Sequence, residues 1–242
     1  MTPFAINPAL DPKRLAERFA ASGRIQISDF LAADGAARLR EALSVSMAWK
    51  HLIHGDSKVF EIARTAFDAL PPTERAAIDE AVFASARCGF QFRYDSIRVP
   101  DAAAARARSG TLLDGFAEFM SSPLVLALLA RVTARSDIAF AYAQATRYQA
   151  GDFLTGHDDD VAGKRRRLAY VLGLTAGWRP EFGGLLLFGD AEEGIAQTIV
   201  PRFNALSLFA VPQPHSVSYV APYASEPRLS VTGWLRAGPR DS

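Results

Sequence analysis

The sequence predicts a mainly β protein with supporting helices, in which short strands of the second half pack as a sandwich or jelly roll and helices of the first half cover them. Three observations carry this. From about Asp137 onward, strand-like runs recur at residues 138–148, 167–175, 184–188, 198–200, 205–211, 216–220 and 228–235. They are separated by turn signals such as Gly151-Asp152, Gly177, Pro180 through Gly183, Gly189-Asp190, Pro212, Pro214 and Pro222, with no helical period between them. The first half, by contrast, punctuates like helices. Finally, a chain of 242 residues with 49% hydrophobic and 22% charged residues buries a large core without a disulfide or metal staple. Any metal in it must therefore be functional.

Element by element, Asp11-Pro12 reads as a cap followed by proline at the first helical position, and Gly23 stops that helix. Residues 24–28 alternate as a short strand. A second helix is expected over 34–47, with Leu39, Leu43 and Met47 on one stripe. A third starts at Thr73 after Pro71-Pro72 and buries Ile78, Val82 and Phe83; two more cover 112–120 and 123–134. Phe90, Phe92 and Tyr94 alternate along a strand at 89–99, which reads as core or as the wall of an aromatic groove. The Ala/Arg-rich stretch 101–108 reads as a loop or frayed helix. The whole is expected to be a single domain over 1–242: mostly helical support with one or two added strands over 1–136, and the β core over 137–238.

Composition narrows the function. The net charge of +1 gives no field that steers the chain toward nucleic acid or an anionic membrane. Its 27 basic residues include only Lys13, Lys50, Lys58 and Lys164 as lysines, so a site that anchors an anion would use arginine. One cysteine, Cys88, forms no internal disulfide. The N-terminal residues 1–14 lack a signal-like apolar stretch, and the best apolar run, 124–130, is far short of the ~20 residues that span a bilayer. A cytoplasmic protein without membrane or direct nucleic-acid contacts is the expectation.

Four histidines are present: His51, His54, His157 and His215. In an extended segment residues i and i+2 point to the same side, so His157 and Asp159 present an imidazole and a carboxylate together while Asp158 points away. His215 opens a later strand that a jelly roll can bring opposite. Two histidines and one carboxylate leave metal positions open, which suits nonhaem Fe(II) oxygenase chemistry, whereas a structural zinc site is closed by four ligands. Taken singly, His157-Asp158-Asp159-Asp160 also fits a solvated acidic loop, and His215 a turn histidine. Arg228 then opens a strand on which it shares a face with Ser230 and Thr232. A guanidinium captures a carboxylate bidentately, and neighbouring hydroxyls add hydrogen bonds.

At these residues the chain resembles the Fe(II)- and 2-oxoglutarate-dependent dioxygenases, in the prolyl 4-hydroxylase-like branch that contains yeast-type prolyl dihydroxylases of a ribosomal protein. The resemblance covers about 147–235: Arg147-Tyr148, Gly151-Asp152-Phe153-Leu154, His157-Asp158-Asp159, Trp178, Gly183-Gly184, His215-Ser216-Val217 and Arg228-Leu229-Ser230-Val231-Thr232-Gly233-Trp234. It implies a double-stranded β-helix (jelly roll, cupin-like) core packed against N-terminal helices. Iron would be held by His157, Asp159 and His215, and the 2-oxoglutarate C5 carboxylate by Arg228 with Ser230 and Thr232. Tyr148 stands where a family tyrosine touches the cosubstrate. The implied reaction hydroxylates an unactivated C–H with O2 while 2-oxoglutarate becomes succinate and CO2, with ascorbate as reductant. The implied substrate is a prolyl residue of a protein or peptide, a ribosomal or translation protein among the candidates, or else a free amino acid or small metabolite. Outside oxygenases, a cupin-like metal hydrolase or isomerase, or a silent jelly-roll binding module, would use the same scaffold. One departure stands out: Gly173 replaces a family tyrosine, which would remove one cosubstrate hydrogen bond, with Tyr170 near enough to compensate.

Overall fold

A computed structural model describes residues 3–55, 58–190, 192 and 194–238. The elements run α1 (Pro12–Ala20), β1 (Arg24–Ile27), α2 (Gly35–Ser44), β2 (Lys50–Gly55), β3 (Lys58–Ala63), α3 (Arg64–Asp68), α4 (Pro72–Ala86), β4 (Phe92–Arg98), α5 (Ala103–Ser109), α6 (Leu112–Met120) and α7 (Pro123–Thr133). They continue as β5 (Ile138–Ala141), β6 (Gln144–Tyr148), β7 (Phe153–His157), β8 (Arg166–Gly173), β9 (Leu186–Asp190), β10 (Gly194–Ile199), β11 (Ala205–Ala210), β12 (His215–Val217) and β13 (Arg228–Ala237).

Local chemistry sets the helix starts. The Asp11 side chain accepts from the Lys13 and Arg14 amides, with Pro12 at the first helical position. Thr111 and Asp114 exchange hydrogen bonds as a capping box ahead of α6, and Ser122 caps α7. The strands join antiparallel in the order β1-β11-β8-β13-β6-β4-β7-β12-β9-β10, with β2 on β4, β3 on β2 and β5 on β13. Apart from β9 and β10, neighbours in that order are not consecutive in the chain, as in a jelly roll, which the strands form as a nearly closed barrel.

Strand parity divides the core. Leu168, Tyr170 and Leu172 of β8 and Leu206 and Leu208 of β11 pack with Leu15, Phe19, Leu39, Phe116, Met120 and Leu129 from α1, α2, α6 and α7. Each such side chain, fully buried, contributes about 1.5–3 kcal/mol of transfer free energy. The opposite strand faces, with Ala169, Phe188, Phe209 and Val217, form a second cluster inside the roll. A third, of Ile53, Phe67, Val82 and Phe153, seats α3 and α4 on β2 and β7. Among the described residues no single helix is long and apolar enough to cross a membrane. The apolar helices α6 and α7 meet at 51°, and Phe116, Met120, Val125 and Leu129 are completely buried in the core.

The sheet adds to the sequence expectation. The first 136 residues supply four strands rather than one or two, and β4 sits between β6 and β7 in the middle of the sheet, so the β core draws on both halves. The β2–β3 hairpin escapes sequence reading because its strands carry His51, His54, Lys50, Lys58 and Glu61 rather than a clean alternation. The run 138–148 is two strands, and 101–108 contains a helix, α5, that ends at Gly110 in left-handed conformation. Met47 leaves the expected stripe: α2 ends at Ser44, and Met47 is 78% exposed.

Candidate active site

The roll encloses a cavity of about 1000 Å³, lined from one side by β4, β7, β9 and β12 and from the other by β6, β8 and β13. Strands β7 and β12 pair with His157 directly opposite His215, which brings the two rings to a centroid separation of 4.1 Å. Asp159 follows two residues past His157 at φ 65°, a left-handed conformation that aspartate tolerates better than most residues. Its Oδ1 lies 3.5 Å from His157 Nε2 and its Oδ2 3.5 Å from His215 Nε2. One ligand atom from each of the three side chains lies within 4.8 Å of the others. Asp158 points away and accepts the Asp160 amide at 2.9 Å.

The backbone sets which ring nitrogen is offered. His157 Nδ1 donates to the Thr155 carbonyl at 3.1 Å, and His215 Nδ1 donates to the Gln213 carbonyl at 2.8 Å. Both Nε2 atoms are thereby left facing Asp159, the arrangement that metal-ligating histidines use. Burial, reinforced by the neighbouring His157, pushes the His215 pKa down to about 4, so the ring is neutral at physiological pH. Burial alone would raise the Asp159 pKa. The hydrogen-bonding and charge of the two histidines outweigh it and hold the carboxylate below its ordinary value. Arg166 braces this loop: its guanidinium donates to the Asp159 carbonyl at 3.1 Å and stacks 3.7 Å over Trp234. The buried Trp234 indole N–H has no hydrogen-bond partner, yet it lies among the groups that keep the Asp159 pKa low.

Arg228 lies on β13, across the roll from β7 and β12. It is 4% exposed, and its Nε has no hydrogen-bond partner. The Tyr148 ring lies beneath the guanidinium at 5.1 Å, and Tyr148 in turn stacks on Tyr94 at 5.0 Å. Burial lowers the Arg228 pKa, but a guanidinium stays protonated in a protein. Gly184, at φ +60°, lets the chain pass close by: a Cβ there would stand 3.1 Å from Arg228 Cδ. A buried cation with an idle donor, facing a cavity, is a ready partner for a carboxylate.

Of the other expected cosubstrate residues, Tyr148 and Thr232 line the cavity, whereas Ser230 does not. Its hydroxyl is paired at 2.9 Å with Thr146, the residue opposite it on β6. Parity placed Ser230 on the right face, but its neighbour strand takes up the hydroxyl. The structure also explains Gly173: a Cβ there would lie 2.2 Å from the Arg202 carbonyl oxygen. Tyr170 lines the cavity, but its O–H donates to the Tyr142 carbonyl at 2.9 Å.

Phe90, Phe92 and Tyr94 form an aromatic wall of the cavity, with the Phe90 ring 5.6 Å from His157. Arg93 points to the opposite face. Gln144, Thr146, Arg166 and Trp234 also line the cavity; the sequence assigned none of them to the site, although Trp234 closes the motif that begins at Arg228. Parity on β6 and β13 would have found three of the four, since Gln144 and Thr146 share the face of Tyr148, and Trp234 that of Thr232.

Comparison with known proteins agrees with this geometry. Residues 143–236 match the family model of the 2OG-Fe(II) oxygenase superfamily. A segment of 96 residues is 36% identical to the mouse prolyl 3-hydroxylase OGFOD1, covering 37% of this chain and only 17% of that protein. Among solved structures, a Pseudomonas putida prolyl-4-hydroxylase superposes with a TM-score of 0.58 at 20% identity, over 95% of this chain and 100% of that one. A Trichoplax adhaerens prolyl hydroxylase, in complex with a hypoxia inducible factor oxygen degradation domain peptide fragment, gives 0.58 at 16% identity over 93% and 89%. The structural matches speak for the fold, and the family model falls on the stretch that carries His157, Asp159, His215 and Arg228. Residues 143–236 thus resemble the 2OG-Fe(II) oxygenase superfamily, and the chain spans only about a sixth of the length of the curated relative it matches.

Proposed function

We propose that the protein hydroxylates an unactivated C–H bond of a prolyl residue in a protein or peptide, with 2-oxoglutarate decarboxylated to succinate and CO2. The carrying observation is one cavity that holds both ends of the required machinery: the His157, Asp159 and His215 donor set on one sheet and the idle, buried Arg228 on the other.

The residues fit the groups the superfamily uses. Two imidazole Nε2 atoms and one carboxylate are a donor set for Fe(II) that leaves positions free for other ligands. Bound there, iron supplies the oxidative chemistry with O2 and 2-oxoglutarate. The protein's share is placement and exclusion of water. Thr155 and Gln213 carbonyls orient the imidazoles, and Arg166 holds the Asp159 backbone. Arg228 would bind the distal carboxylate, and Thr232 would add a hydroxyl from the same strand. Tyr148 packs under the guanidinium and keeps it in a dry, low-dielectric setting that strengthens its hold. Phe90 and Phe92 would receive the substrate beside His157. A cavity of about 1000 Å³ exceeds what a cosubstrate and a free amino acid fill, which favours a peptide over a small metabolite.

The test is succinate formation from 2-oxoglutarate under air with Fe(II) and ascorbate, beside a His157→Ala control. Succinate above the control supports the reaction, and a peptide screen for the mass of one added oxygen then identifies the substrate. Arg228→Gln should weaken anaerobic 2-oxoglutarate binding about 10- to 100-fold, the loss of a charge-assisted hydrogen bond of roughly 1.5–3 kcal/mol. Absence of both turnover and Fe(II)-dependent 2-oxoglutarate binding would overturn the proposal in favour of a hydrolase or binding module.

A further inference from the structure

The other face of β4 borders a second cavity of about 330 Å³, roofed by α3 and α4 and closed by the turn at 149–152. Asp95, fully buried, lies opposite His51 on β2 and Arg147 on β6. It accepts from His51 Nδ1 at 2.8 Å, Arg147 at 2.8 and 3.0 Å, Gln149 at 2.8 Å and Arg64 at 3.2 Å. Arg93 is likewise used up by Asp152, Asp79 and the Gly151 carbonyl. Two lining groups are left over. His51, 2% exposed, has an Nε2 without any partner, and the half-buried Arg75 of α4 makes no ion pair among the described residues. The His51 ring packs at a 33° tilt against Phe67, with centroids 4.1 Å apart, and its Nδ1 is tied to Asp95.

The chemistry of these two groups specifies a ligand. Asp95 accepts from Nδ1, which leaves Nε2 as the buried ring nitrogen without a partner, in reach of a hydroxyl. Arg75 asks for a negative oxygen. Asp152 does not cancel that charge fully, since burial pushes its pKa to about 7. We infer that this cavity is a binding site for a small oxyanion that keeps a hydroxyl, hydrogen phosphate being the simplest, with the hydroxyl donated to His51 Nε2 and an ionised oxygen held by Arg75. The site is separate from the iron-type centre and does not depend on the oxygenase reading.

Titration of the full chain with inorganic phosphate and, at matched ionic strength, with sulfate tests this. Sulfate carries no proton at neutral pH. With histidine nitrogens labelled, only four side chains report. The expected result is saturable phosphate binding that moves the His51 Nε2 resonance, sulfate at least tenfold weaker, Arg75→Gln at least tenfold weaker for phosphate, and Arg131→Gln, at an exposed position of α7, unchanged. Equal binding of sulfate, phosphate binding that leaves His51 unmoved, or an Arg75→Gln protein that binds like the parent would each overturn it. Arg75 lies on a helix surface, so its variant stays folded where a His51 replacement need not.

Discussion

Asp95, buried behind residues that line the second cavity, and Asp159, lining the cavity of the roll, are two acids beside histidines, and they differ in how completely they are satisfied. Asp95 receives donors at 2.8–3.2 Å from His51, Arg147, Gln149 and Arg64. Asp159 has His157, His215 and Arg166 at 3.5, 3.5 and 3.6 Å, each too far for a good hydrogen bond. The histidines differ in the same sense. His51 turns Nδ1 to its acid, whereas His157 and His215 give Nδ1 to backbone carbonyls and turn Nε2 to theirs. A carboxylate saturated by protein donors is scaffold. One left loose among pre-oriented nitrogens is a ligand waiting for a cation.

The same substitution at both positions breaks this comparison most sharply. Asp159→Asn should cut Fe(II)-dependent turnover at least ~100-fold, since even indirect partners of metal ligands cost 10–100-fold. Its melting temperature should move little, because asparagine also tolerates the left-handed backbone. Asp95→Asn should do the reverse. It leaves Arg64 and Arg147 short of a buried counter-charge, a loss of about 3–5 kcal/mol, or roughly 10 °C for a chain of this size. Thermal melts beside anaerobic iron titrations check both; matching stability losses would erase the distinction.

Acid sharpens it next. Burial alone would raise the Asp95 pKa, but the hydrogen bond with His51 and the Arg64 charge outweigh it and hold the pKa at about 2, below its ordinary value of 3.8. Because the folded value is depressed, the contribution is complete above pH ~4 and is lost as pH falls toward 2, a loss of about 2 kcal/mol. Melts between pH 2 and 5 should show the parent losing its advantage over Asp95→Asn across that window.

How much of this was legible in the sequence follows from the range of the interactions involved. His157 with Asp159, and Arg228 with Thr232, lie within one strand or its end, where a period of two decides the face. The Asp95 cluster needs the register of β2, β4 and β6, set by chain segments up to a hundred residues apart, and no local pattern carries it. Gly173 lies between these cases. Sequence comparison marked it as a missing tyrosine, but only the structure shows that the Arg202 carbonyl occupies the space beside it. Gly173→Ala should therefore destabilise by about 1–3 kcal/mol, the cost of forcing an atom into a packed site. A neutral result in chemical denaturation would mean that the 202 loop yields easily.

The smallest effect tests the limit of parity itself. Ser230 and Thr232 share the face of Arg228, but only Thr232 reaches the cavity, while the Ser230 hydroxyl is held by Thr146 at 2.9 Å. Ser230→Ala should then cost about 1 kcal/mol of stability, the worth of one neutral hydrogen bond. Because Thr146 lines the cavity, its freed hydroxyl can turn toward the cosubstrate, so 2-oxoglutarate affinity should change no more than a few-fold. Thr232→Val should show the opposite balance, with stability nearly unchanged and affinity reduced more than in Ser230→Ala. If Ser230→Ala weakens 2-oxoglutarate as strongly as Thr232→Val, the bond to Thr146 opens when the cosubstrate enters, and both hydroxyls belong to its pocket.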